Sequence, residues 1–156
     1  MKRDLFIVAA FTFAFVSSAQ NAGKSDLFTA RQIQSQLQSL ASQASATGGS
    51  GVTLADYGSH KLMLSVRTKA GGGEIHAHYD DVIIVQQGIA TIITGGTLVD
   101  SSTGPDGESK GSGIRGGKSR VVGPGDVITV NAGVPHQTLV PAGKTYSALV
   151  IKVREP

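Results

Sequence analysis

Cysteine is absent from the 156 residues. That excludes disulfides, thiolate metal ligands and a cysteine nucleophile together. Tryptophan is absent too, and only 5% of residues are aromatic, which leaves little stacking surface for bases. Charge is sparse: 14 Lys and Arg against 11 Asp and Glu give a net of +3. No run of five or six like charges gathers it. A nucleic-acid reader carries a denser basic stripe, so that class is set aside. Proline is scarce at 5 residues, whereas glycine reaches 21. Many glycines with few prolines imply many tight turns and hence many short strands. With 40% apolar residues the chain can bury the core of one domain.

No apolar run is long enough to span a bilayer. The longest, Leu5 to Val16, has twelve residues, roughly 18 Å as a helix against a hydrocarbon core of about 30 Å. It follows Met1-Lys2-Arg3-Asp4 and precedes Ser17-Ser18-Ala19. A charged start, a short apolar middle and small residues at the exit are the pattern of a cleaved secretory signal ending at Ala19. The expected product is secreted or periplasmic, and without cysteine its core must suffice.

From Ser25, a plausible N-cap, a helix is expected to about Ala44, with Phe28, Ile33, Leu37, Leu40 and Ala44 at helical spacing. Gly48 to Gly51 reads as a flexible linker. Strands follow at Lys61–Thr68, Glu74–His78, Val82–Gln86, Ile89–Thr94, Val127–Val130, Thr138–Val140 and Tyr146–Val153. Short strands at this spacing make an all-β sandwich or barrel. Asp100 to Gly117 interrupts the rhythm with six glycines and almost no apolar residue. It is expected to be mobile unless it pairs as a long hairpin, and its composition favours an insertion with no role in a site.

Four histidines are present: His60, His76, His78 and His136. His76 and His78 lie two apart on an expected strand and so leave one face. Two adjacent imidazoles suit a core poorly unless a metal satisfies a nitrogen of each; the alternative is a polar pocket without metal. Asp81 can return a carboxylate to the same place.

Two segments, GGGEIHAHYDDVIIVQQG and GDVITVNAGVPHQTLV, resemble the two motifs of the cupin superfamily. The matching residues are Gly71 to Gly73, His76, His78, Asp81 and Gly88 in the first, and Gly125, Gly133 and His136 in the second. The usual acidic residue is Glu, where Asp81 stands; Asn131 and Val140 replace a usual Pro and Asn. The resemblance spans about Leu54 to Val153. It implies an antiparallel double-stranded β-helix, a jelly-roll barrel, behind one amphipathic helix. The implied division is a signal peptide at 1–19, helix and linker at 20–51, and a barrel at 52–156 with an inserted glycine-rich loop at 95–120.

By the same resemblance His76, His78, Asp81 and His136 are the metal ligands, and the chain pairs as a homodimer through barrel edges. Three imidazoles and a carboxylate suit one divalent transition metal, among Mn, Fe, Ni, Zn and Cu. Glu74 shares the parity of the histidines and is a candidate acid–base group; Tyr79 is a candidate at the mouth. Arg67 could meet an anionic substrate, and His60 has no partner in the sequence. Two functions stay open: a metal-dependent enzyme of lyase, isomerase, decarboxylase or dioxygenase type acting on a small oxygenated molecule, or a non-catalytic binder of metal or small molecule.

Overall fold

The computed structural model describes residues 25–156, so the expected signal segment lies outside the described residues. The helix α1, Ala30–Thr47, starts four residues later than Ser25 as N-cap would place it. The reason is a capping box. The Thr29 hydroxyl accepts the Gln32 N–H at 3.3 Å, and the Gln32 side chain accepts the Thr29 N–H at 2.9 Å. The helix stops at Gly48, whose φ of 92° is left-handed. Leu37, Leu40 and Ala44 are its buried face.

Thirteen strands follow: β1 Gly49–Asp56, β2 His60–Arg67, β3 Gly73–Ile75, β4 Tyr79–Gln87, β5 Ala90–Thr94, β6 Thr97–Val99, β7 Ser102–Thr103, β8 Ser109–Gly111, β9 Gly113–Arg115, β10 Lys118–Val122, β11 Val127–Val130, β12 His136–Leu139 and β13 Tyr146–Arg154. All pairings are antiparallel. One sheet runs β1-β2-β13-β4-β11, the other β10-β5-β12-β3-β8-β7, with β6 and β9 as a separate pair. The expected linker is thus a strand: Gly49 opposes Arg67 and Ser50 opposes Val66. It covers what would otherwise be an open edge of β2.

The five-stranded sheet is apolar on both faces. Leu64 and Val66 on its outer face meet Leu37, Leu40 and Ala44 of α1. Its inner face carries Ile83, Val85, Tyr146 and Ala148, which pack with Ile92, Val122 and Val130 between the sheets. Among the described residues no helix is long and apolar enough to cross a membrane.

The segment from 95 to 120 follows the second expectation, pairing as a long hairpin: β6 with β9 and β7 with β8. β8 pairs with β3, setting Gly73 opposite Gly111 and Glu74 opposite Lys110, and β7 pairs with β8 in turn. Apolar burial was the wrong criterion, because backbone hydrogen bonds tie this segment to the sheet. Glycine permits the approach: a Cβ on Gly72 would stand 2.4 Å from the Gly111 carbonyl oxygen.

Candidate metal centre

The two histidine-bearing segments converge through their backbones. Glu74 on β3 and His136 on β12 are directly opposed partners. The chain leaves β3 at Ile75, and the His76 carbonyl accepts the Gly133 N–H at 2.9 Å, in the loop that leads to His136. A second tie is the Ala132 N–H donated to the Asp80 carboxylate at 2.7 Å. Asp81 is the first buried residue of β4.

The ligand atoms of Glu74, His76 and His136 all lie within 4.8 Å of one another. His76 Nε2 is 3.9 Å from Glu74 Oε2 and 3.4 Å from Asp81 Oδ2, while His136 Nε2 is 3.7 Å from that same Asp81 oxygen. These gaps are long for hydrogen bonds. The 3.4 Å gap matches ligands around a shared cation, which stand about 3.3–3.6 Å apart in a tetrahedron with bonds of about 2.0–2.2 Å, and the other two are slightly wider.

Both rings are also anchored from behind. His76 Nδ1 is hydrogen-bonded to the Glu108 carboxylate, and His136 Nδ1 donates to the Val134 carbonyl at 3.3 Å. With each Nδ1 carrying its proton toward an acceptor, each Nε2 presents a lone pair to the same point. A carboxylate or carbonyl behind a ligating imidazole fixes its tautomer and raises its basicity. The donor set fits a divalent transition metal.

Charge is dense around this point. The Lys152 ammonium donates to Asp81 Oδ1 at 2.7 Å, and Arg67 lies 3.8 Å from Glu74. Burial alone would depress the His76 pKa, but the Asp81 and Glu108 carboxylates beside the ring outweigh it and raise the value. His136 is lowered, by burial first and by the nearby His76 charge second. Burial pushes the Asp81 carboxyl up, yet His76 and Lys152 together hold it below its ordinary value. The group lines a cavity of about 420 Å³ whose walls include Met63, Ile83 and Val150.

No family model matches the chain, and no curated protein matches it. Solved structures do. KdgF from Halomonas sp. aligns with a TM-score of 0.51 at 14% identity, over 70% of this chain and 82% of that one. The cupin domain of Cnp3 from Schizosaccharomyces pombe aligns with a TM-score of 0.51 at 8% identity, over 69% of this chain and 61% of that one. The fold is that of the cupins. The DMSP lyase DddQ from Ruegeria pomeroyi DSS-3 is similar at 17% identity with a TM-score of 0.49; the matched part is 67% of this chain and 46% of the lyase, less than half its length.

Within the cupin barrel the structure brings together His76, His136, Asp81 and Glu74, but not His78. β3 ends at Ile75, so the alternation expected to carry both histidines to one face stops before either. His76 turns inward; His78 is exposed, with Gly107 beside its ring. Glu74 joins the imidazoles as a donor, whereas one oxygen of Asp81 is taken by Lys152. Tyr79 does not line the cavity. Its hydroxyl accepts from Arg154 at 2.8 Å, and Lys61 stands over its ring. His60 stacks on Tyr57 and its ring bonds Ser59.

Two charged residues of the site escaped the sequence reading. Lys152 had a signal: it shares the inward parity of Ala148 and Val150 in an apolar strand. Glu108 had none, because its turn has no periodicity and stands 32 residues from His76.

Proposed function

We propose that this chain is an exported, metal-binding cupin that works as a metal-dependent enzyme on a small oxygenated molecule, with chemistry of lyase, isomerase, decarboxylase or dioxygenase type. One observation carries the reading: two imidazoles, each anchored through Nδ1, aim Nε2 at one point beside Glu74 in a cavity of about 420 Å³. Cavities of roughly 300–1,000 Å³ hold small molecules.

Glu74, His76 and His136 hold the ion, and Asp81 Oδ2 faces both imidazoles from the side. A bound divalent metal supplies Lewis acidity, polarising a carbonyl or lowering the pKa of a water. Glu108 keeps the His76 ring in register, and the Val134 carbonyl does so for His136. Lys152 holds a proton next to Asp81 inside the cavity, where it can be given to a developing anion. Met63, Ile83 and Val150 keep the wall apolar, which strengthens each charge interaction within it.

The test is elemental analysis of the purified chain, followed by turnover assays on small hydroxy and oxo acids. About one equivalent of a transition metal is expected, lost in His76→Ala. A chain that neither retains nor takes up metal refutes the reading. Export is supported by the composition of residues 1–19 alone; mass spectrometry of secreted protein should find Gln20 first, and an intact Met1 refutes it. Pairing of two copies is supported by the edge strands β10 and β11, which expose Val121 and Val127. Light scattering should give twice the chain mass, falling to one in Val121→Lys.

A further inference from the structure

Beside the candidate ligands the cavity holds polar groups that the ion does not use. Tyr146 and Arg67 are directly opposed on β13 and β2 and both line the cavity. Tyr146 is 2% exposed, and its hydroxyl is buried with no hydrogen-bond partner. A buried hydroxyl left unpaired is costly, which points to a partner supplied from outside the protein. Burial pushes the Tyr146 phenol up to about 12, against the opposing field of Arg67, so it is a neutral O–H donor.

Arg67 is only loosely committed, at 3.8 Å from Glu74. The room its guanidinium needs is made by Gly71, where a Cβ would lie 2.5 Å from Nη1. The remaining charges set the ligand's sign. Glu74, Asp81 and Glu108, set against Arg67, Lys152 and a divalent ion with neutral imidazoles, leave the site at +1. A single negative charge neutralises it, whereas a phosphate monoester, at about −2, overshoots.

We infer that Arg67 and Tyr146 form a carboxylate subsite, so that the small molecule taken by this cavity is a short monocarboxylic acid with a second oxygen reaching the metal position. Arg67 grips one carboxylate oxygen and the Tyr146 O–H donates to the other. Glu74, which stands between Arg67 and His76, sets the short span from this subsite to the ion. The inference rests on the metal-binding reading for that second oxygen and for the site charge of +1.

The experiment compares 3-hydroxypropionate with its amide by titration calorimetry on the manganese-loaded chain, with metal content measured on the same samples. The acid should bind roughly tenfold or more tightly than the amide. Tyr146→Phe and Arg67→Met should each erase most of that preference while the manganese stays bound. Tyr146→Phe removes only an unpaired hydroxyl, so it should fold and melt like the parent and decides the matter if Arg67→Met does not fold. Equal binding of acid and amide, no binding of either, or an undiminished preference in Tyr146→Phe overturns the subsite. A chain that loads no manganese refutes the metal centre instead. On that metal-free chain an acid preference that Tyr146→Phe erases still supports the subsite, and its absence overturns it.

Discussion

Replacing Glu108 tests whether the inserted segment belongs to the site. Its carboxylate is 27% exposed and holds Nδ1 of His76, whose own side chain is 13% exposed. Removing such a partner of a ligating imidazole costs about 10–100-fold in metal affinity, or roughly 1.4–2.7 kcal/mol. A second effect opposes it. Glu108 helps to raise the His76 pKa, so its loss also weakens the competition from protons. At about pH 8.5 that competition is minor and the penalty shows in full; near pH 6 part of it is offset. Gln keeps an acceptor for the Nδ1 proton but loses the charge, and Ala loses both. The expected order of affinity is therefore wild type, Glu108→Gln, Glu108→Ala, with the spread wider at the higher pH. Competition with a metal-sensitive dye measures it, and thermal melts check that the variants stay folded. Unchanged affinity in Glu108→Ala at the higher pH would refute the argument and return the segment to a plain insertion.

In metal-free protein, NMR titration should place the His76 midpoint above 6.5 and that of His136 below it. His76 then adds stability that is fully present below pH 6.5 and fades as pH rises through its folded value, while His136 acts in the opposite sense. The reverse order of midpoints would break the assignment of Glu108 and Asp81 as partners of His76. Asp81→Asn should keep most of the metal yet lower stability by roughly 1–3 kcal/mol, because it strips the Lys152 ammonium of its carboxylate; calorimetric melting with elemental analysis reads both. Leu64→Ala, at a side chain with no exposure between α1 and the sheet, should cost about 2–5 kcal/mol in denaturant titration. Thr29→Ala removes the capping box and should cost about 0.5–2 kcal/mol, with fraying confined to the start of α1.

Local chemistry wrote the barrel strands into the chain. Lys61–Thr68, Val127–Val130 and Tyr146–Val153 are apolar runs bounded by turn residues, the last two rich in β-branched side chains, and each is a strand within a residue or two of its expected ends. His76 and His136 stood out through the two segments that resemble the cupin motifs. What the sequence could not show was pairing. Gly49 to Gly51 has linker composition, and only the unpaired edge of β2 makes it a strand. The segment from 95 to 120 buries almost no apolar residue, so its order comes from backbone bonds to β3. That pairing carries Glu108 to His76 across 32 residues of sequence. His78 fails for the converse reason: alternation holds only while a strand lasts, and β3 ends at Ile75. Side-chain periodicity is a property of neighbours along the chain, whereas strand partners and ligand sets are properties of distance in space.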